Sequence, residues 1–150
     1  MKKFVKIFIC FMLVITLCGC GSKKALSKDK MNSKLYSLGF DVYDVSDKIE
    51  DKSVKTLLSA NYRGNFQIEY YEFKNKDDAK KVFDADKKEL IKSNGDKGKT
   101  KEGSNYDRFV QQISDKYAVV TRIDNTLIYV FANVDYKKDI KSNLKKIGYY

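Results

Sequence analysis

The chain has 150 residues, 30 of them Lys or Arg against 20 Asp or Glu, for a formal charge of +10, and it contains no His, Pro or Trp. Without an imidazole there is no Ser–His–Asp triad, no His-ligated zinc and no His general base, so chemistry falls to carboxylates, Lys, Tyr, Ser or Thr. The three cysteines, Cys10, Cys18 and Cys20, all lie in the first twenty residues, so the remainder has no disulfide or thiolate metal site and is stabilised by packing alone.

In chain order, the first segment reads as an export signal. Met1, Lys2 and Lys3 precede an apolar run over residues 7–17; the positive charge stays on the cytoplasmic side while the run enters the translocon. That run is shorter than the about 20 residues a stable span needs. Leu17, Cys18, Gly19 and Cys20 resemble the lipobox of bacterial lipoproteins, in which the thiol matching Cys20 receives diacylglycerol and the preceding peptide is removed. The resemblance implies a signal peptide at residues 1–19, lipidation of Cys20, and an extracytoplasmic domain held on the outer face of the cell membrane. Each buried methylene contributes about 0.8 kcal/mol, so two acyl chains give stable anchoring where one is marginal. An uncleaved anchor or an ordinary secretory signal is the alternative. Processing would remove Lys2, Lys3 and Lys6 and no acid, leaving 131 residues with a charge of +7, enough for one domain with one core.

Residues 20–30, small, polar and lysine-rich, read as a lipidated tether, and residues 31–150 as a single globular domain. A helix is predicted from about Ser27, with Met31, Leu35 and Leu38 on one face and Gly39 ending it. Residues 40–45 look extended. Residues 54–62 fit a strand or a helix; Arg63, Gly64 and Asn65 favour a hairpin into the strand at 66–73. That strand places Phe66, Ile68 and Tyr70 on one face and Tyr71 and Phe73 on the other, a parity change expected of a bulge or of a strand covered on both faces. Asn75 caps the next helix, whose apolar stripe is Ala79, Val82, Phe83 and Leu90, with outer pairs Asp77–Lys81 and Asp84–Lys88.

Residues 94–104, with three glycines and three lysines, read as a mobile loop. Strands at 106–113, 117–123 and 126–132 follow as antiparallel hairpins. A last helix begins near Asp135, presents Tyr136, Ile140, Leu144 and Ile147 on one face, and stops at Gly148. The fold class is α+β, an antiparallel sheet with helices packed on one face. Leu35, Leu38, Gly39 and Phe40 recur in spacing as Leu144, Ile147, Gly148 and Tyr149, the mark either of helix-plus-three-strand units or of a shared way of ending a helix. Residues 66–73 leading into Asp78, Ala79 and Lys80, then 122–129 and 144–149, resemble small lipoproteins of Gram-positive, clostridial type. The resemblance implies the address and the α+β domain and carries over no functional residue.

Few constellations carry chemistry. Glu69 and Glu72 lie three apart on one strand and so point to opposite faces. Asp86 falls inside an apolar helix stripe, where a charge needs a partner, and is expected in a salt bridge or at a rim. No phosphate loop, calcium loop or metal-ligand spacing is present, so no catalytic residue, cofactor or metal is assigned. Lys137, Lys138, Lys141, Lys145 and Lys146 coat the last helix and, with Lys97, Lys99 and Lys101, are candidate contacts for an anionic envelope polymer or acidic headgroups; a solvated helix face is the alternative. Nucleic acid is disfavoured because the signal exports the domain. The eleven tyrosines fit half-buried strand positions or a recognition face.

The expectation is a membrane-anchored, non-enzymatic binding or envelope-interaction module with a polymer or protein partner. The alternatives are a small hydrolase-type enzyme using carboxylate or lysine chemistry, and a passive structural surface protein. A binding module should expose an aromatic or apolar patch without a deep polar pocket, and an enzyme should show a cleft with converging charged groups.

Overall fold

Residues 21–150 are described by a computed structural model; the expected signal peptide at 1–19 and the lipidation residue Cys20 lie outside them. Helix α1 (Lys28–Ser37) buries Met31 and Leu35. It leads into β1 (Phe40–Asp44), a 3-10 turn (Ser46–Lys48), β2 (Val54–Tyr62) and β3 (Phe66–Phe73). The ambiguous segment 54–62 is a strand. Arg63 and Gly64 both have positive φ, 52° and 74°, as a type I′ hairpin turn requires, and Asn65 N–H donates to the Tyr62 carbonyl at 2.9 Å.

Helix α2 (Lys76–Asn94) is capped by Asn75, whose side-chain oxygen accepts Asp78 N–H at 2.9 Å. Strands β4 (Lys99–Glu102), β5 (Tyr106–Ile113), β6 (Lys116–Ile123) and β7 (Thr126–Asn133) follow, then a 3-10 turn (Val134–Tyr136) and α3 (Lys137–Ile147). Gly148, at φ 91°, ends α3 in the left-handed region, and Tyr149 N–H turns back to the Leu144 carbonyl at 2.8 Å.

The seven strands form one sheet in the order β1-β2-β3-β7-β6-β5-β4, antiparallel throughout, so the α+β architecture is as the sequence predicts. The helices, however, are shared between both faces rather than packed on one. Met31, Leu35, Ile140 and Leu144 of α1 and α3 pack against Phe40, Ile68, Tyr70, Val119 and Ile128. Ala79, Phe83 and Leu90 of α2 pack against Phe73, Phe109, Ala118, Val120 and Leu127 on the other side. The cause is β6, where Tyr117, Ala118, Val119 and Val120 are buried in succession: a strand apolar on both faces needs cover on both. The parity change in β3 has the same origin, and the only irregularity near it lies in the partner, between Val54 and Thr56 of β2.

The two halves of the internal echo end α1 and α3, which lie on the same face of the sheet, with Gly39 at φ 84° and Gly148 at 91°.

Three further expectations are corrected. The stretch 94–104 is no mobile loop, since it contributes β4, paired with β5. Its glycines answer to packing: a Cβ on Gly98 would stand 2.1 Å from the Phe109 ring, and one on Gly103 2.1 Å from the Tyr106 ring. Of the expected tether at 20–30, Lys23 and Leu26 are docked and 28–30 belong to α1. Asn105 holds Lys23 through its backbone N–H and C=O at 2.9 and 2.7 Å. Leu26, buried, accepts from the Tyr70 hydroxyl at 2.6 Å and donates to that of Tyr149 at 3.3 Å. On α2 the ion pairs are Lys80–Asp84 at 2.5 Å and Lys81–Asp78 at 3.6 Å in place of Asp77–Lys81 and Asp84–Lys88. Among the described residues no helix is long and apolar enough to cross a membrane.

Candidate functional site

A helix is about 10 Å wide, whereas seven strands about 4.8 Å apart make a far broader surface, so α2 alone leaves much of its face uncovered. It packs on β5, β6, β7 and β3. Where its cover ends, a groove of about 280 Å³ opens between Val82 and Asp86 of α2 and Glu69, Tyr71 and Tyr129 of the sheet, with Ile49, Val54 and Phe73 in its walls. A hollow of about 230 Å³ continues it past Asp86 and Tyr129 to Ile113 and Phe131.

The groove is assembled by strand pairing. Glu69 and Tyr129 face each other directly across β3 and β7, and Tyr71, two residues along β3, shares their side. The Tyr71 hydroxyl donates to Glu69 Oε2 at 2.7 Å, and Gln67 Nε2 to Oε1 at 3.1 Å. Asp86 reaches the groove from α2. Burial, and then the nearby Glu69, push its carboxyl up to about 6, the direction expected when a charge loses water and faces its own kind. Burial first, and then these acids, also raise the Tyr71 and Tyr129 hydroxyls.

Asp86 therefore takes the rim position and not the salt bridge: no ion pair among the described residues includes it. Glu72 lies on the opposite side, close enough to raise Tyr70 and Tyr149, so the two glutamates do not meet. Of the tyrosines, Tyr70, Tyr106, Tyr117 and Tyr149 are core residues, and Tyr71 and Tyr129 line the groove. Among the described residues no group of three His, Cys, Asp or Glu is placed to hold a metal.

The five lysines of α3 divide. Lys137, Lys141 and Lys145 recur every four residues on one side, 5.2 to 5.9 Å from the rings of Tyr117 and Tyr150; Lys138 and Lys146 are exposed and have no such ring contact. Lys137 and Lys141 join Lys97, Lys99, Tyr117 and Tyr150 around a second, basic cleft of about 230 Å³.

No protein-family model matches the chain, and no curated protein matches it. Among solved structures, it is similar to the crystal structure of a GTP-binding regulator from Thermotoga maritima, with a TM-score of 0.51 and 17% identity over 86% of this chain and 90% of that one. At that identity the likeness concerns the fold alone.

Sequence reasoning reached Asp86 but missed its company. The alternation Glu69, Tyr71, Phe73 on β3 and Tyr129, Phe131 on β7 was the available signal, and the missing step was the β3–β7 pairing of strands far apart in the chain. Chemically, apolar walls and aromatic rings beside three acids, Asp51, Glu69 and Asp86, suit a ligand with a cationic head and an apolar body.

Proposed function

We propose that the chain is an extracytoplasmic lipoprotein, anchored through lipid on Cys20 to the outer face of the cell membrane, whose domain is a non-enzymatic binding module. Its binding site is the groove beside α2, and its ligand is an amphipathic cation. The observation that carries this reading is Asp86, raised to about 6 in an open, apolar-walled groove with no side-chain cation beside it. A carboxyl in that condition gains from a cationic partner brought from outside. The Thermotoga protein is described as a GTP-binding regulator; the three acids of the lining are the wrong sign for a triphosphate, so that ligand does not suit this groove.

Two experiments test the parts separately. Cys20→Ser should release the protein to the medium or leave it unprocessed, and unchanged membrane retention would sink the anchor. For the groove, benzyltrimethylammonium should raise the melting temperature of the wild-type protein while neutral tert-butylbenzene and anionic phenylacetate do not, and Asp86→Asn should abolish the effect. Equal responses to all three probes would remove the cation assignment. One observation favours the enzymatic alternative, the pairing of a protonatable Asp86 with Glu69. Ester or glycoside turnover by wild type that is lost in Asp86→Asn would establish it over simple binding.

A further inference from the structure

The basic side of the molecule lies where the proposed anchor emerges. Lys23 is pinned by Asn105, and only Gly21 and Ser22 separate it from Cys20, a reach of about 10 Å when extended. A lipid on Cys20 therefore holds this corner of the domain within about a Debye length of the bilayer.

The corner is built almost entirely of cations. Lys23 Nζ donates to the main-chain oxygens of Gly148 and Tyr150 at 3.1 and 3.0 Å and lies 5.2 Å from the Tyr106 ring. Lys101 is the direct cross-strand partner of Arg108, and Lys99 that of Val110, so β4 and β5 present all three charges on the α3 side. The Arg108 guanidinium lies 4.1 Å from the Tyr150 ring, and Lys141 and Lys145 each lie 5.8 Å from it. Arg108 and Lys101 are close enough to help lower the Lys23 pKa, after burial.

Six side-chain ion pairs form among the described residues, and none includes Lys23, Lys97, Lys99, Lys101, Arg108 or the α3 lysines. Like charges gathered without side-chain counter-charges repel one another and weaken the fold. An anion from outside relieves that cost, and the short leash determines which anion is at hand.

We infer that this face, centred on Arg108, Lys101, Lys141 and Lys145 around Tyr150, docks on anionic phospholipid headgroups of the membrane that carries the anchor. The inference rests on the lipoprotein reading. Its consequence is a fixed orientation: with the β4–α3 corner on the bilayer, the groove on the opposite sheet face is turned toward the solvent. Tyr150, only partly buried at this corner, suits the headgroup level, where an aromatic ring with a polar tip is at home.

The test uses the full lipidated chain reconstituted on vesicles of phosphatidylcholine, with or without phosphatidylglycerol. Flotation reports the anchor, and amine footprinting by mass spectrometry reports orientation. The chain should float with both vesicles. With phosphatidylglycerol alone, labelling at Lys101 and Lys145 should fall about fivefold or more relative to Lys80 and Lys88 on α2, the scale of one lysine meeting an acidic surface, and high salt should restore it without releasing the chain. The doubly substituted chain Lys99→Glu, Lys101→Glu, altered only at exposed edge positions, should still float and lose the protection of Lys145.

Failure to float would overturn the anchor, and this inference with it. Flotation with equal labelling of all four lysines, or with protection equal on both vesicles, would overturn the orientation alone. Protection by soluble polyglycerol phosphate but not by phosphatidylglycerol vesicles would overturn it in favour of a polymer ligand.

Discussion

The two faces of the sheet are covered by different means. One carries α1, α3 and the docked segment around Leu26, and its core closes over Tyr70, Tyr149 and Ile128, all fully buried. The other carries α2 alone and includes a buried ion pair, Arg122 Nε donating to Asp107 Oδ2 at 2.8 Å, together with a groove where Asp86 is left without a cation. The difference is one of area: two helices and a strap cover their face, and a single helix does not. The uncovered margin is where polar and aromatic side chains stand beside solvent, and hence where the proposed ligand would be accommodated without rearranging the core.

The comparison is broken most severely at the ion pair. Asp107→Ala should cost about 3 to 5 kcal/mol in denaturant unfolding, because it strands the Arg122 charge in the interior; a loss under 1 kcal/mol would show that solvent reaches the guanidinium. On the closed face, Leu144→Ala should cost about 2 to 5 kcal/mol, and the same measurement returning a near-neutral value would mean that α3 is only loosely seated.

Asp86→Asn sharpens the contrast in the opposite direction. The folded carboxyl keeps its proton up to about pH 6, whereas the ordinary value is 3.8, so its stabilising contribution is full below 3.8 and is lost as pH rises through 6. The amide has no proton to lose. The variant should be more stable than wild type at pH 7 by about 1 kcal/mol once solvent screening at this half-exposed position is counted, and the two should converge at pH 4. Smallest of all, Phe131→Ser should change stability by no more than about 0.5 kcal/mol, because the ring is 46% exposed, while weakening the response to benzyltrimethylammonium.

Local signals carried much of the architecture into view. Asn75 as a cap, Gly148 as a helix end, the three C-terminal strands and the stripe of α2 are all set by neighbours within a few residues, and each is legible. The face each helix takes is not, because it depends on which strands pair: only the β3–β7 contact and the doubly apolar β6 send α2 to the side opposite α1 and α3. Glycine misled for a related reason. Gly98 and Gly103 look like flexibility in one dimension, whereas in three they make room for the Phe109 and Tyr106 rings. The segment at 23–26 looked like a tether because its partners, Asn105, Tyr70 and Tyr149, are distant in sequence. The groove was half legible: Asp86 stood out as a charge in an apolar stripe, and Glu69 and Tyr129 join it only across strands.

The carboxyl titration of Asp86 by carbon NMR tests the groove most directly. A midpoint near 6 in wild type, moving down when Glu69→Gln removes the neighbouring charge, is the result required by an unpaired acid half withdrawn from water. A midpoint near 3.8 in both proteins would place Asp86 in ordinary solvent and contradict the binding site built around it.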